Sequence, residues 1–276
     1  ELFVSERKEP NFFGYETVDP AQYDIPETIE HYHHSVTELD DYLELFKNAR
    51  EGQILGETSN LYLYSDTACD RIKHYIPEVK LIAILRQPAE RLYSRYLHLA
   101  REDKLPTKEF EDLFDQSSIW WRRPDLVTEG FYAKHLVKFY ETFPKDRIKV
   151  FFYDDLRKSV DDLLKELYEF LGVDSTFVPD TSQQLNKSGF IKNRAVHQVI
   201  GSRSKLVQGI KSTFPALFRM AKANKTIFRA VNNLRDRNLN RPKLSQELRS
   251  RITNEIYVED ILKLEKMLDV DLSHWR

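Results

Sequence analysis

The stretch Val79-Lys80-Leu81-Ile82-Ala83-Ile84-Leu85-Arg86-Gln87-Pro88-Ala89-Glu90-Arg91-Leu92-Tyr93-Ser94-Arg95-Tyr96 decides the fold class. Its first seven residues form a near-continuous apolar run of the kind a parallel sheet buries on both faces. Pro88 then stands where a helix can begin, with Glu90 in the favourable first turn. The periodicity carries that helix through Arg91, Tyr93, Tyr96, Leu97 and Leu99. Arg86 falls at the carboxyl end of the strand, where open α/β sheets collect their ligands, and the turn opens into a helix N-terminus, which favours anions. A planar guanidinium and the Ser94 hydroxyl, seven positions after Gln87, suit a phosphate group. A plainer reading stays open, in which Arg86 caps the strand and Ser94 lies on the helix surface.

The same alternation extends outward. Gln53–Glu57 and Ile148–Tyr153 read as strands. Gly130–Phe143 reads as an amphipathic helix stopped by Pro144, and Val160–Leu171 as one ended by Gly172. Leu244–Leu268 reads as a last helical stretch with Ile252, Ile256, Leu262, Leu264 and Leu268 on its apolar side. Alternating βα units predict an α/β fold, a central parallel sheet flanked by helices. With no internal repeat and no Gly/Ser linker, residues 1–276 are read as one domain.

The charge sum is uninformative by itself. The chain has 42 Lys+Arg, 44 Asp+Glu and a formal charge of −2. Between Lys187 and Lys243, however, stand 14 basic residues and one acid, Asp236, so this segment carries +13 and the remainder −15. Such a block signals a partner. Its apolar residues recur at helical spacing around Pro215, which makes 187–243 a basic helical segment within the domain. Three readings stay open: a cationic lobe that attracts a polyanionic nucleotide, a site for an anionic glycan, or a helix over 203–237 lying on an anionic membrane. The composition as a whole argues against a nucleic-acid partner, and the distribution points to an anionic ligand.

The single cysteine, Cys69, excludes an internal disulfide and a Cys-clustered zinc site, and is read as structural. No run of 18 apolar residues occurs, and ELFVSERKEP has no signal-peptide pattern. These features point to a cytoplasmic, reducing location, with a Golgi lumen the alternative if a leader or anchor precedes Glu1. His31, His33 and His34 do not share one helix face with an acid, which argues against a metal site. Trp120-Trp121-Arg122-Arg123 is either an acceptor lip that stacks on a sugar or a packed aromatic loop.

Arg-x-Pro-x-x-Arg-x-x-Ser-x-Tyr after a buried strand resembles the 3′-phosphate-binding motif of sulfotransferases that use 3′-phosphoadenosine 5′-phosphosulfate (PAPS). Arg86, Pro88, Arg91, Ser94 and Tyr96 match it. Lys8-Glu9-Pro10-Asn11-Phe12-Phe13 resembles an element of the heparan sulfate sulfotransferase-like branch and its bacterial relatives, as does Gly56-Glu57-Thr58-Ser59-Asn60-Leu61-Tyr62. Gly130-x-Tyr132, the segment from Phe151 to Gly172, and Leu264-Glu265 through Leu272-Ser273-x-Trp275 follow the family order.

The resemblance implies a fold similar to P-loop nucleotide-binding proteins, PAPS as co-substrate, 3′-phosphoadenosine 5′-phosphate (PAP) as product, and no metal. It implies that Arg86 and Ser94 hold the 3′-phosphate and that Tyr132, a core aromatic on the plainer reading, contacts the nucleotide. Lys187 and Gly189 would close over the phosphates, with Lys192 and Arg194 nearby; a plain polar loop is the other reading. Glu9 would be the general base that deprotonates a hydroxyl or amine of a glycan, lipid or metabolite. Lys8, Asn11, Glu57, Thr58 and Ser59 would contact that acceptor, and Phe12 and Phe13 would either line its cleft or fill the core. Asn11 stands where branch members have His, and Asn60 where they have Pro. The family's phosphosulfate loop, Lys-x-Gly-Thr-Thr, does not occur in the 276 residues. It is expected with the first strand upstream of Glu1; the alternative is a non-catalytic domain that binds a nucleotide or an anionic glycan.

Overall fold

A computed structural model describes residues 1–179, 190–193, 209, 212–213 and 237–276. Lys187, Gly189, Arg194 and most of the stretch 203–237 lie outside the described residues. Strand β1 (Leu2–Val4) pairs in parallel with β2 (Ile54–Gly56), Leu2 opposite Ile54 and Val4 opposite Gly56. Strand β3 (Leu81–Leu85) pairs in parallel with β4 (Ile148–Phe152), in register from Leu81–Ile148 to Leu85–Phe152. A short antiparallel pair joins β5 (Phe190–Ile191) to β6 (Leu239–Asn240). The α/β class and the parallel pairing agree with the sequence reading. Among the described residues, however, the strands form separate pairs and not one continuous sheet.

The helices are α1 (Phe12–Tyr15), α2 (Pro26–His33), α3 (Leu39–Glu44), α4 (Leu61–Tyr64), α5 (Ala68–Tyr75) and α6 (Pro88–Arg101). They continue with α7 (Ile119–Arg122), α8 (Tyr132–Thr142), α9 (Tyr153–Lys158), α10 (Val160–Leu171), α11 (Gln246–Ile252) and α12 (Val258–Leu268). Helix α10 shows how local sequence sets both ends. The Ser159 hydroxyl accepts from the Asp162 N–H at 3.2 Å, Asp161 and Asp162 occupy the first turn, and Gly172 turns left-handed at φ 77°. Lys80 Nζ satisfies the exposed carbonyls of Phe170 and Leu171 at 2.7 and 3.0 Å.

Where residues 1–276 are read as one domain, contacts group the chain into two compact units. The first comprises Glu1–Leu92, Glu111–Thr181 and Glu247–Arg276. Its core joins Phe12, Phe13, Tyr42, Cys69, Ile72, Phe139, Phe143 and Ile148. Phe12 stacks on Tyr42 with ring centroids 4.6 Å apart. Cys69 is fully buried there, and burial pushes its thiol up, which disfavours the thiolate. The second unit comprises Tyr93–Phe110 and Ser182–Gln246. In it Tyr96 packs on Phe110 and Phe190, with centroids at 4.6 and 5.6 Å, and the Tyr93 hydroxyl donates to the Pro242 carbonyl.

Two sequence expectations change in the structure. Among the described residues strand β3 is not covered on both faces: Leu85 is 2% exposed, but Ile82 and Ile84 are 42% and 51% exposed. Successive side chains point to opposite faces, and the described residues leave the face of Ile82 and Ile84 open. The C-terminal helix is also interrupted, because Thr253–Tyr257 forms a π-helical turn between α11 and α12. That turn places Tyr257, fully buried, against Gly130, where an added Cβ would approach its ring to 2.7 Å. Helix α8 accordingly starts at Tyr132 and not at Gly130, with the N–H groups of Ala133 and Lys134 donating to the Asp260 carboxylate at 2.9 and 3.0 Å.

Candidate functional site

The turn after β3 is held from both sides. Gln87, 2% exposed, accepts from the Glu90 N–H through Oε1 at 2.8 Å, while its backbone carbonyl accepts from the Arg91 N–H. Its side-chain amide donates to Thr253 Oγ1 at 2.7 Å and to the Trp275 carbonyl at 3.0 Å. The Tyr132 hydroxyl donates to the Arg86 carbonyl at 2.9 Å. With its backbone fixed in this way, Arg86 extends a half-buried guanidinium over the Tyr153 ring, 4.9 Å from the centroid. The same guanidinium donates to Glu90 Oε2 at 3.2 and 3.4 Å. Arg91, the second arginine of the motif, turns inward to Glu129 at 3.0 Å and to the Leu126 carbonyl, so its role is to anchor the helix.

Tyr132 is 3% exposed, a core residue whose hydroxyl positions the Arg86 backbone. Ser94 is half-buried on α6 and belongs to the second unit. Lys192, also in the second unit, donates from its side chain to the Arg237 carbonyl at 3.1 Å.

A separate group forms beside β1 and β2. Ser5 N–H donates to the Gly56 carbonyl, Glu9 N–H to the Thr58 carbonyl, and Asn11 N–H to Ser59 Oγ, each at 3.0 Å. The segments Lys8–Asn11 and Glu57–Ser59, far apart in sequence, thus run side by side. Glu9 and Asn11 both adopt left-handed backbone conformations, φ 51° and 56°. Asn tolerates this locally; for Glu it costs energy that neighbouring contacts must offset. The Asn11 side-chain amide supplies one such contact, donating to the Glu9 carbonyl at 2.9 Å and to Ser35 Oγ at 3.1 Å. Strained backbone of this kind concentrates at functional sites. Its effect here is to project Lys8 and Glu9 outward while Asn11 stays 2% exposed beneath them.

Phe12 and Phe13, 0% and 3% exposed, lie in the core of the first unit. His31 is held by the Tyr15 hydroxyl at 2.9 Å and stands 3.4 Å from the Asn11 amide. Trp120 is fully buried, whereas Trp121 lines an open groove of about 780 Å3 with Phe131, Lys134 and Glu259.

Thr58 is exposed, and Glu57 is half-buried with Ser59 Oγ donating to its Oε2 at 2.8 Å. Burial raises the Glu57 carboxyl above its ordinary range, and the Tyr62 and Ser59 hydroxyls beside it offset only part of this. A carboxyl raised in the folded state binds protons more readily there than in the unfolded chain, so it lowers stability as pH rises above the unfolded value of about 4.3. Glu57→Gln is therefore expected to raise Tm at pH 7, with the gain shrinking toward pH 4. A Tm gain independent of pH in thermal unfolding would contradict this account.

Residues 27–208, well over half of the chain, match the family model described as Sulfotransferase domain. The chain belongs to the sulfotransferase domain family. It is 26% identical over 149 residues to the bifunctional heparan sulfate N-deacetylase/N-sulfotransferase 4 of Mus musculus, covering 51% of this chain and 17% of that protein. With carbohydrate sulfotransferase 15 of the same organism it shares 27% identity over 123 residues, 38% of this chain and 22% of the relative. The chain therefore spans less than a quarter of the length of these relatives. The crystal structure of a sulfotransferase from Alicyclobacillus acidocaldarius superposes with a TM-score of 0.70 at 20% identity, covering 100% of this chain and 88% of that one. At that identity the likeness establishes the α/β sulfotransferase fold.

Family membership gives the β3–α6 motif its context. Two residues that shape the Arg86 locus, Thr253 and Arg249, carry no sequence signal. They reach it from 166 and 159 positions away, Thr253 through Gln87 and Arg249 through Glu90.

Proposed function

We propose that this chain carries the 3′-phosphate and acceptor sites of a sulfotransferase that uses PAPS and acts on a hydroxyl- or amine-bearing glycan. One observation carries the reading: in a chain of this family, the Arg86 backbone is held at the carboxyl end of β3 by the Tyr132 hydroxyl and the Gln87 turn, and its guanidinium, at the start of α6, lies over the Tyr153 ring. A planar, permanently charged fork beside a helix N-terminus fits a phosphate group. PAPS, when bound, supplies the sulfuryl group and leaves as PAP. Arg86 binds the 3′-phosphate. Glu9, exposed on a pinned backbone, takes the proton of the acceptor hydroxyl or amine as the acceptor atom bonds to sulfur. Lys8, Thr58 and the Glu57–Ser59 pair orient the acceptor. The glycan class rests on the relatives, which are named for heparan sulfate and carbohydrate.

Arg86→Ala is expected to weaken PAP binding by roughly tenfold or more, the effect of losing charge-assisted hydrogen bonds to a phosphate. Calorimetric titration of PAP checks this, and an unchanged affinity overturns the assignment. A binding-only domain is the second reading, favoured by the lack of a Lys-x-Gly-Thr-Thr run in the 276 residues. Transfer of labelled sulfate from PAPS to a glycan pool by the full polypeptide excludes it, and failure with every acceptor supports it.

A further inference from the structure

We propose that Arg249 is a second phosphate-binding residue, converging with Arg86 on the position that the Glu90 carboxylate holds in this structure. The inference rests on the donor reading above. Glu90 Oε2 accepts from Arg86 Nη2 at 3.2 Å and Nε at 3.4 Å, while Oε1 accepts from Arg249 Nε at 3.4 Å. Two guanidinium groups from distant parts of the sequence therefore meet across the width of one carboxylate. All three contacts are longer than the roughly 2.7–2.9 Å of a well-formed charge-assisted hydrogen bond, so one carboxylate serves two cations loosely.

The group also carries a surplus positive charge, two guanidinium groups against one acid, with the Arg249 side chain 14% exposed. Asp154, on the helix that follows β4, is engaged elsewhere, by Trp275 Nε1 at 3.1 Å and His274 at 3.5 Å. A phosphate offers more oxygens and more charge than a carboxylate, and forked guanidinium groups match it bidentately. Arg249 is also built into the structure that fixes Arg86. Its Nη2 donates to the His274 carbonyl at 3.2 Å. Its own carbonyl accepts from Thr253 Oγ1 at 2.8 Å, the hydroxyl that takes the Gln87 amide. The π-helical turn that begins at Thr253 thus sets α11 at the β3–α6 junction.

The role makes Arg249 a reader of the 3′-phosphate. PAP and adenosine 5′-monophosphate differ by that group alone, so titrating both by calorimetry isolates it. Arg249→Ala is expected to weaken PAP binding by roughly tenfold or more, the value of one charged hydrogen-bonding partner. Its affinity for adenosine 5′-monophosphate should stay unchanged. Arg249→Lys, which keeps the charge and loses the fork, should fall between wild type and alanine, and decides the matter if the alanine variant does not fold. An unchanged PAP affinity overturns the proposal. Equal losses for both nucleotides also overturn it, since they mark a purely structural arginine. If PAP binding depends on Arg86 and not on Arg249, this inference alone falls; if folded wild-type protein binds no PAP, the donor reading falls and takes Arg249 with it.

Discussion

Glu9→Gln is expected to lower kcat for sulfate transfer by roughly 10²–10⁴-fold, the contribution of a positioned general base. Glutamine keeps the size of the side chain and leaves both backbone contacts in place, the Glu9 N–H to Thr58 and the Glu9 carbonyl to the Asn11 amide. What it removes is the ability to take a proton. The KM for PAPS should therefore stay near the wild-type value. A strained backbone that merely supports the fold would show a different result, with Tm falling and kcat per folded molecule unchanged. Steady-state kinetics of the full polypeptide with labelled PAPS distinguishes the two, and an intact kcat in the folded variant refutes the base assignment.

The second large effect is on stability. Trp275, next to the end of the chain, is 0% exposed. Its indole packs edge-on against Phe152 at 5.6 Å and against Tyr132 at 6.3 Å, and its Nε1 donates to Asp154 at 3.1 Å. Trp275→Ala is expected to destabilise the protein by roughly 3–5 kcal/mol, because both the transfer energy of the ring and the cavity left behind count. Trp275→Phe should recover most of this and lose about 1 kcal/mol for the missing hydrogen bond. Urea unfolding measures both. A midpoint unmoved by the alanine substitution would show that the C-terminal residues are not part of the cooperative core. The same substitution should weaken PAP binding secondarily, since the buried ring anchors the segment whose backbone carbonyl at Trp275 accepts from the Gln87 amide.

Much of the fold is legible locally. Gly172 and Ser159 bound α10 as their chemistry requires, and Pro88 and Glu90 open α6. The short strand β1 gives no such signal, because three residues are too few for a periodic pattern. The π-helical turn at Thr253–Tyr257 is equally silent in sequence, since good helix formers surround it and the packing of Tyr257 on Gly130 lies far outside the local window. At the candidate site, Arg86 and Glu9 stand out through their motifs, but a motif does not say which way a side chain turns. Arg91 matches as well as Arg86 and yet turns inward to Glu129.

The sequence by itself determined the alternation of strands and helices, the resemblance to sulfotransferases and the identity of the charged residues at the strand end. Each depends on spacing within a few residues or on short motifs. Tertiary structure alone placed Phe12, Phe13 and Tyr132 in buried positions. It also decided that Glu9 sits on a left-handed backbone pinned from Thr58 and Asn11, and that Arg249 meets Arg86 across Glu90. These depend on residues tens to more than a hundred positions apart, brought together by the burial of apolar surface, which is non-directional and leaves no local pattern to read.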